Sequence, residues 1–328
     1  MLRLNILDQS PVIEGKTYSD AIQQTIELAV LADKLGYYRY WVAEHHSTNS
    51  FASASPEILI PIIASNTKRI RVGSGGVLIS HYSPLKIAEQ FNMLQSLFSG
   101  RIDLGIGRAP GGDSEVMKAL KGGNENAFDK TTELIEYLGN YTENKSSKKV
   151  KAVPQVSEKP EIWILGTSPE SAVYAAENGL PYTFGSFISD EHMIKCFSSY
   201  YNYFKPSIYL KQPRLNLALF VIAAETDEAA EKTALCSQYW LTQTFLQGKN
   251  IPFPDKQKSI EYKFSVMEKI LLEERKKSAI ICNADDASKK LKEIAEQYAL
   301  HELTLVTITS RFEDRKDSYR LIAERILN

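Results

Sequence analysis

Cysteine is scarce in this chain, and the few present do not cluster. Cys196, Cys236 and Cys282 lie far apart among 328 residues, with no C-x-x-C pair. That argues against a disulfide framework or a zinc knuckle and predicts a reducing, cytoplasmic setting. A charge excess is missing as well: acids and bases nearly cancel, leaving a formal net charge of −1. Neither a nucleic-acid groove nor a polybasic membrane patch is expected. The one lysine-rich piece, Asn144 to Lys151, has no interleaved aromatics and reads as a solvated loop. Long hydrophobic runs are absent too. No window is long enough to span a bilayer, and the opening MLRLNILDQSP is broken by Arg3, Asn5 and Asp8, so no signal peptide is expected.

What remains is a pattern of short β-rich runs alternating with helical periodicity. LRLNILDQ reads as a strand. Thr17 and Asp20 then form a capping-box signature, Ile22, Ile26, Ala29 and Val30 share a helical face, and Gly36 supplies the stop. YYRYWVA, RIRVGSGGVLI, RIDLGIG, EIWILG, PYTFGS, RLNLALFVIAA and ELTLVTITS continue the strand series. The intervening helices include one over roughly Pro56 to Asn66, one opened by Ser83-Pro84 and one from Pro169 to Asn178. About eight βα units in a chain of this size predict a TIM (β/α)8 barrel formed by one domain over residues 1–328. The stretch from Thr226 to Ala279 is too long for one crossover helix. It predicts an insertion around Ile251 to Lys258, before the last βα unit.

Active sites of such barrels sit where the strands end. Four stretches qualify. Glu44-His45-His46 closes the second strand. Successive strand residues face opposite ways, so His45 and His46 are poorly placed to share a metal ion. A histidine serving as base or donor in a pocket competes there with plain strand-end hydrogen bonding. VGSGGVLIS is weak as a strand. Its glycines suggest either close approach of a planar ring near Gly75 and Gly76 or a bulge at a barrel corner. GRIDLGIGRAPGG ends a strand with Arg108 in a glycine-rich turn, suited to a phosphate or carboxylate, or to a structural ion pair. In LGTSPESAVYAAENG, Ser168 caps a helix with Ser171 one turn in, a natural phosphate cradle that is also a common cap. No lysine- and arginine-rich pocket stands out, so a highly anionic substrate is not expected.

WVAEHH, RIRVGSGGVLISHYSPLKIAEQ, GRIDLGIGRAPGG and LGTSPESAVYAAENGLPY, in this order and spacing, resemble the bacterial luciferase-like flavin monooxygenases. The likeness is closest to their single-gene oxidoreductase branch. The resemblance implies a barrel, usually a homodimer, that binds reduced FMN supplied by a separate NAD(P)H-dependent flavin reductase and uses oxygen on a small-molecule substrate. It implies that His45 is the active-site histidine, that the Gly75-Gly76 bond lies beneath the flavin ring, and that Arg108, Ser168 and Ser171 contact the flavin phosphate. It assigns no metal. There are departures: Gly107 stands where luciferase has a cysteine, and Tyr82 stands where close relatives have a histidine. A deazaflavin-dependent dehydrogenase and a non-catalytic flavin-binding or storage protein are the alternatives.

Overall fold

The computed structural model describes residues 2–120, 126–139 and 150–327. All but the last two residues of Asn144 to Lys151 therefore lie outside the described residues. Among the described residues nine strands alternate with twelve α-helices in the order β1 (Arg3–Asp8), α1 (Tyr18–Leu35), β2 (Arg39–Val42), α2 (Pro56–Asn66), β3 (Arg71–Leu78), α3 (Pro84–Leu97), β4 (Ile102–Gly107), α4 (Ser114–Ala119), α5 (Ala127–Tyr137), β5 (Glu161–Gly166), α6 (Pro169–Glu177), β6 (Tyr182–Gly185), α7 (Met193–Tyr203), β7 (Leu215–Ala224), α8 (Asp227–Phe245), α9 (Lys256–Glu261), α10 (Val266–Lys276), β8 (Ala279–Asn283), α11 (Ala284–Gln297), β9 (Glu302–Val306) and α12 (Phe312–Ile326). All the strand pairs are parallel. Hydrogen bonding from β6 round through β1 and β9 to β7, closed by β6 against β7, makes an eight-stranded barrel. This is the expected TIM barrel.

β8 is the exception. It pairs with β7 alone and lies outside the barrel. The expected insertion thus holds more than a loop: α9, α10 and a ninth strand separate α8 from the last βα unit. AIICN escapes a reading by pattern because only five residues follow a lysine- and glutamate-rich helix, and its burial alternates rather than running continuously.

Local chemistry starts and stops the helices as expected. Thr17 and Asp20 close a reciprocal capping box on α1, and Gly36 ends it in the left-handed region at φ 86°. Outside the barrel, strand residues such as Leu4, Tyr40, Val72 and Leu104 pack against the helix faces in one continuous core. Inside, Leu7, Trp41, Trp163 and Val306 form a second cluster, with the two indoles edge to face at 5.4 Å.

The N-terminal end of the barrel is closed by charge. Arg39, fully buried, reaches Asp103 at 2.6 Å, Glu161 at 2.9 Å and Glu302 at 2.9 Å. Arg71 pairs with Asp103, and Arg214 pairs with Glu161 and Glu302. Burial alone would raise the pKa of Glu302, yet Arg39 and Arg214 hold it down to about 2. With the bottom sealed, the opposite end is the one that opens.

Candidate active site

Strand register puts the candidate residues on one rim. Asp8 pairs with Val42, and Val42 with Ser74. The residues just beyond them, Gln9, Ala43 to His45 and Gly75-Gly76, therefore leave the barrel at one level. They line a cavity of about 680 Å³ together with Arg108, Ser168, Phe51, Trp240 and Phe253. That volume lies within the usual range for small-molecule and cofactor pockets.

Just past the end of β2 the three polar residues turn to different partners. Trp41, Ala43 and His45 face inward, while Glu44 faces the neighbouring elements. His45 Nε2 lies 2.7 Å from Gln9 Oε1. With that oxygen accepting, Nε2 carries the proton, and Nδ1 keeps its lone pair with no protein partner among the described residues. Phe51 stacks on the imidazole at 4.3 Å, and Trp240 and Phe253 pack on Phe51. Burial, followed by the charge of His46, pushes the His45 pKa down to about 4. The ring is neutral at physiological pH.

His46 turns elsewhere and contacts Glu44 Oε1 at 2.7 Å. The buried Glu44 also accepts from the Tyr82 hydroxyl at 2.7 Å and from the Leu78 amide at 3.0 Å. Burial and Glu44 together raise the Tyr82 pKa. Glu44 thus ties the ends of β2 and β3 together at the edge of the cavity, with Tyr82 and His46 as its partners.

Gly75 and Gly76 line the cavity and are joined by a cis peptide bond. Their smallness has a cause inside the barrel. A Cβ on Gly75 would strike Leu7 and come to 3.0 Å from Trp41, and one on Gly76 would lie 2.8 Å from the Gly105 carbonyl. The register of β3 against β4 shifts between Ser74 and Val77. The bulge expected of this stretch is present, and the two glycines beside it also line the cavity.

Arg108 donates to Ser168 Oγ at 3.1 Å, and its guanidinium lies 4.0 Å over the Phe128 ring. Among the described residues it has no carboxylate within ion-pair distance. Ser168 caps α6. Ser171 behaves differently. Its side chain is buried, donates to the Ser168 carbonyl at 2.6 Å, lies 3.1 Å from the Tyr182 hydroxyl and does not line the cavity. The structure brings Arg108 and Ser168 together and withholds the Ser171 hydroxyl.

Several site residues escape a reading by motif. Gln9 follows the end of β1, where the strand-end rule could have found it. Trp240, Phe253 and Arg275 come from α8 and the insertion, where no motif marks them. Arg275 and Lys276 join Arg108 on the cavity wall, although the sequence shows no basic pocket. The insertion is also stitched down. Phe253 exchanges backbone hydrogen bonds with Val12 and Glu14, and Asn250 bonds to Asn49 and Ser47.

A closed parallel barrel whose mouth joins Arg108 and Ser168, a largely apolar cavity and His45 has the site architecture of a barrel enzyme. Residues 4–298 match the luciferase-like monooxygenases, and the chain belongs to that family. An N-acetyl-S-alkylcysteine monooxygenase of Bacillus subtilis (strain 168) is 32% identical over 334 residues, covering 100% of this chain and 99% of the relative. The solved structure of apo-MsnO8 matches with TM-score 0.88 and 35% identity over 99% of this chain and 97% of that one. In fold alone, the oxygenating constituent of 3,6-diketocamphane monooxygenase from Pseudomonas putida, in complex with FMN, matches with TM-score 0.73 and 18% identity over 99% of this chain and 98% of that one.

Proposed function

We propose that residues 1–328 form one barrel domain acting as the oxygenase of a two-component monooxygenase, with reduced FMN delivered by a separate NAD(P)H-dependent flavin reductase. The observation that carries this reading is the pairing of Arg108 with Ser168 at 3.1 Å on the wall of an otherwise largely apolar cavity. The residues present fit a flavin mononucleotide. Arg108 and Ser168 suit its phosphate, Gly75 and Gly76 leave a wall without side chains for a flat ring, and the aromatic cluster suits its apolar face. Ser171 then supports the phosphate site by fixing the Ser168 backbone.

Bound reduced FMN would supply the electron pair that activates oxygen, one atom of which goes to a small organic substrate while the other leaves as water. The protein's own part is positioning, drying and proton handling. Phe51, Trp240 and Phe253 exclude water from His45. Gln9 holds the imidazole in one tautomer, so Nδ1 is the atom left to accept a hydrogen bond at neutral pH, and with a pKa near 4 it holds a proton only in passing. Glu44 keeps the β2 and β3 ends in register. Ile58 and Ile62 of α2 and Met93 and Leu97 of α3 are exposed apolar side chains on neighbouring helices, which supports a homodimer through that face. Three free, buried cysteines suit the cytoplasm. Among the described residues no helix is long and apolar enough to cross a membrane.

The test is rapid mixing of the protein and reduced FMN with oxygenated buffer, followed by absorbance. A transient spectrum absent from free flavin is expected. Arg108→Met should weaken FMN binding about tenfold or more and leave phosphate-free riboflavin nearly unaffected. Flavin oxidation no different from that in buffer, with equal losses for the two ligands, would overturn the reading. Preferential deazaflavin binding would favour hydride transfer, and inert FMN binding would favour storage.

A further inference from the structure

The cavity carries a second cationic wall that the phosphate site does not use. Arg108 and Ser168 belong to the β4 and β5 ends. Arg275 and Lys276 belong to the last turn of α10, beside β8 and the loop after β6. In the pairing order of the barrel, β6 and β7 lie opposite β2 and β3. Arg275 therefore stands across the mouth from the wall that bears His45 and Gly75-Gly76.

The two cations differ. Lys276 is about half exposed and already paired with Glu273 at 2.9 Å. Arg275 is half-buried. It donates to the Ile188 carbonyl at 2.5 Å and lies 5.3 Å from the Phe245 ring centroid, so its head is held by two other elements. Among the described residues it has no carboxylate within ion-pair distance. Among the described residues Glu44 is the only acid lining the cavity, and it is committed to Tyr82, His46 and the Leu78 amide. The cavity lining is largely apolar, with Phe220, Leu241, Leu272 and Ile281 among it, and Ser237, Gln238 and Ser278 add neutral polar groups. A guanidinium fixed at one end of an apolar slot selects a ligand with an anionic head and an apolar body.

We infer that the substrate is a small carboxylate with an apolar body, and that Arg275 is its carboxylate anchor, with the apolar portion lying toward His45. This deepens the oxygenase reading and rests on it for the assignment of Arg108 to the cofactor phosphate.

The probe pair is octanoate and octanamide, matched in shape and differing in charge, titrated calorimetrically into the full-length protein. Octanoate should bind at least about tenfold more tightly, the size of one charge-assisted hydrogen bond. Arg275→Met keeps the aliphatic stem and should abolish the preference, whereas Arg275→Lys should restore part of it. An unchanged melting temperature for the two variants excludes misfolding as the cause. Arg108→Met should weaken FMN binding and keep the octanoate preference. Equal binding of the two probes by the unmodified protein, or no octanoate binding at millimolar concentration, would overturn the proposal. So would an Arg275→Met variant that loses FMN and keeps octanoate, since Arg275 would then serve the phosphate. Failure of the unmodified protein to bind FMN would sink the oxygenase reading alone, because the two probes still report on Arg275.

Discussion

At neutral pH His45 should be uncharged, and its charging should cost fold stability. The imidazole sits against Phe51 with Trp240 and Phe253 behind it, and burial, aided by the charge of His46, lowers its pKa from 6.5 to about 4. A difference of this size corresponds to about 3 kcal/mol between the protonation states. Between those pH values the unfolded chain binds the proton and the folded chain resists it. The His45 contribution is therefore fully present above about pH 6.5 and is lost as pH falls toward 4. The assay is an NMR titration of the five histidines, with His45 assigned by the resonance missing from His45→Gln. Over the same window, denaturant unfolding should show up to about 3 kcal/mol more acid-induced loss in the unmodified protein than in His45→Gln. Phe51→Ala should readmit water and raise the pKa by about one unit. A His45 titration near 6.5 in the intact protein would refute the desolvation argument, and with it the assignment of Nδ1 as a hydrogen-bond acceptor free of competition from its own charging.

Three further outcomes test other parts of the structure. Arg39→Met should destabilise the fold by about 3–5 kcal/mol in urea melts, because it leaves Asp103, Glu161 and Glu302 facing one another at the barrel floor with part of their compensation removed; a loss below 1 kcal/mol would mean that Arg71 and Arg214 suffice. Glu44→Gln should cost about 1–3 kcal/mol, since an amide cannot accept from Tyr82, His46 and the Leu78 amide as a carboxylate does. Tyr82→Phe should cost less, as it removes one of those three donors, and the reverse order in thermal melts would contradict this account. Gly76→Ala should cost about 1–3 kcal/mol through overpacking against the Gly105 carbonyl, read by the same melts, and a neutral effect would show that β3 can move away from β4.

The site was legible where one short stretch carries both an element and its chemistry. Glu44-His45-His46 could be separated by strand alternation alone, and the structure sends His45 to Gln9 and His46 to Glu44. Arg108 and Ser168 were each recognisable as anion-binding types at strand ends, and a barrel brings such ends together. Ser171 shows the limit of that reasoning. Its place one turn into α6 is readable, but whether its hydroxyl faces the cavity or the Tyr182 side depends on how the helix packs.

Local sequence determined the parts whose physics is local. Capping residues started α1, α6 and α8, buried apolar runs made the parallel strands, and their number in a chain of this length implied closure into a barrel. Only the tertiary structure decided what depends on residues distant in the chain. It placed β8 outside the barrel, because a five-residue strand carries no mark of its partner. It stacked Trp240 and Phe253 over the Phe51 and His45 region, some two hundred residues away in sequence, and so set the charge state of that histidine. It also brought Arg275 to the cavity from a helix whose sequence reads as an ordinary amphipathic surface. Desolvation and ion pairing depend on what lies nearby in space, and a linear pattern does not contain that distance.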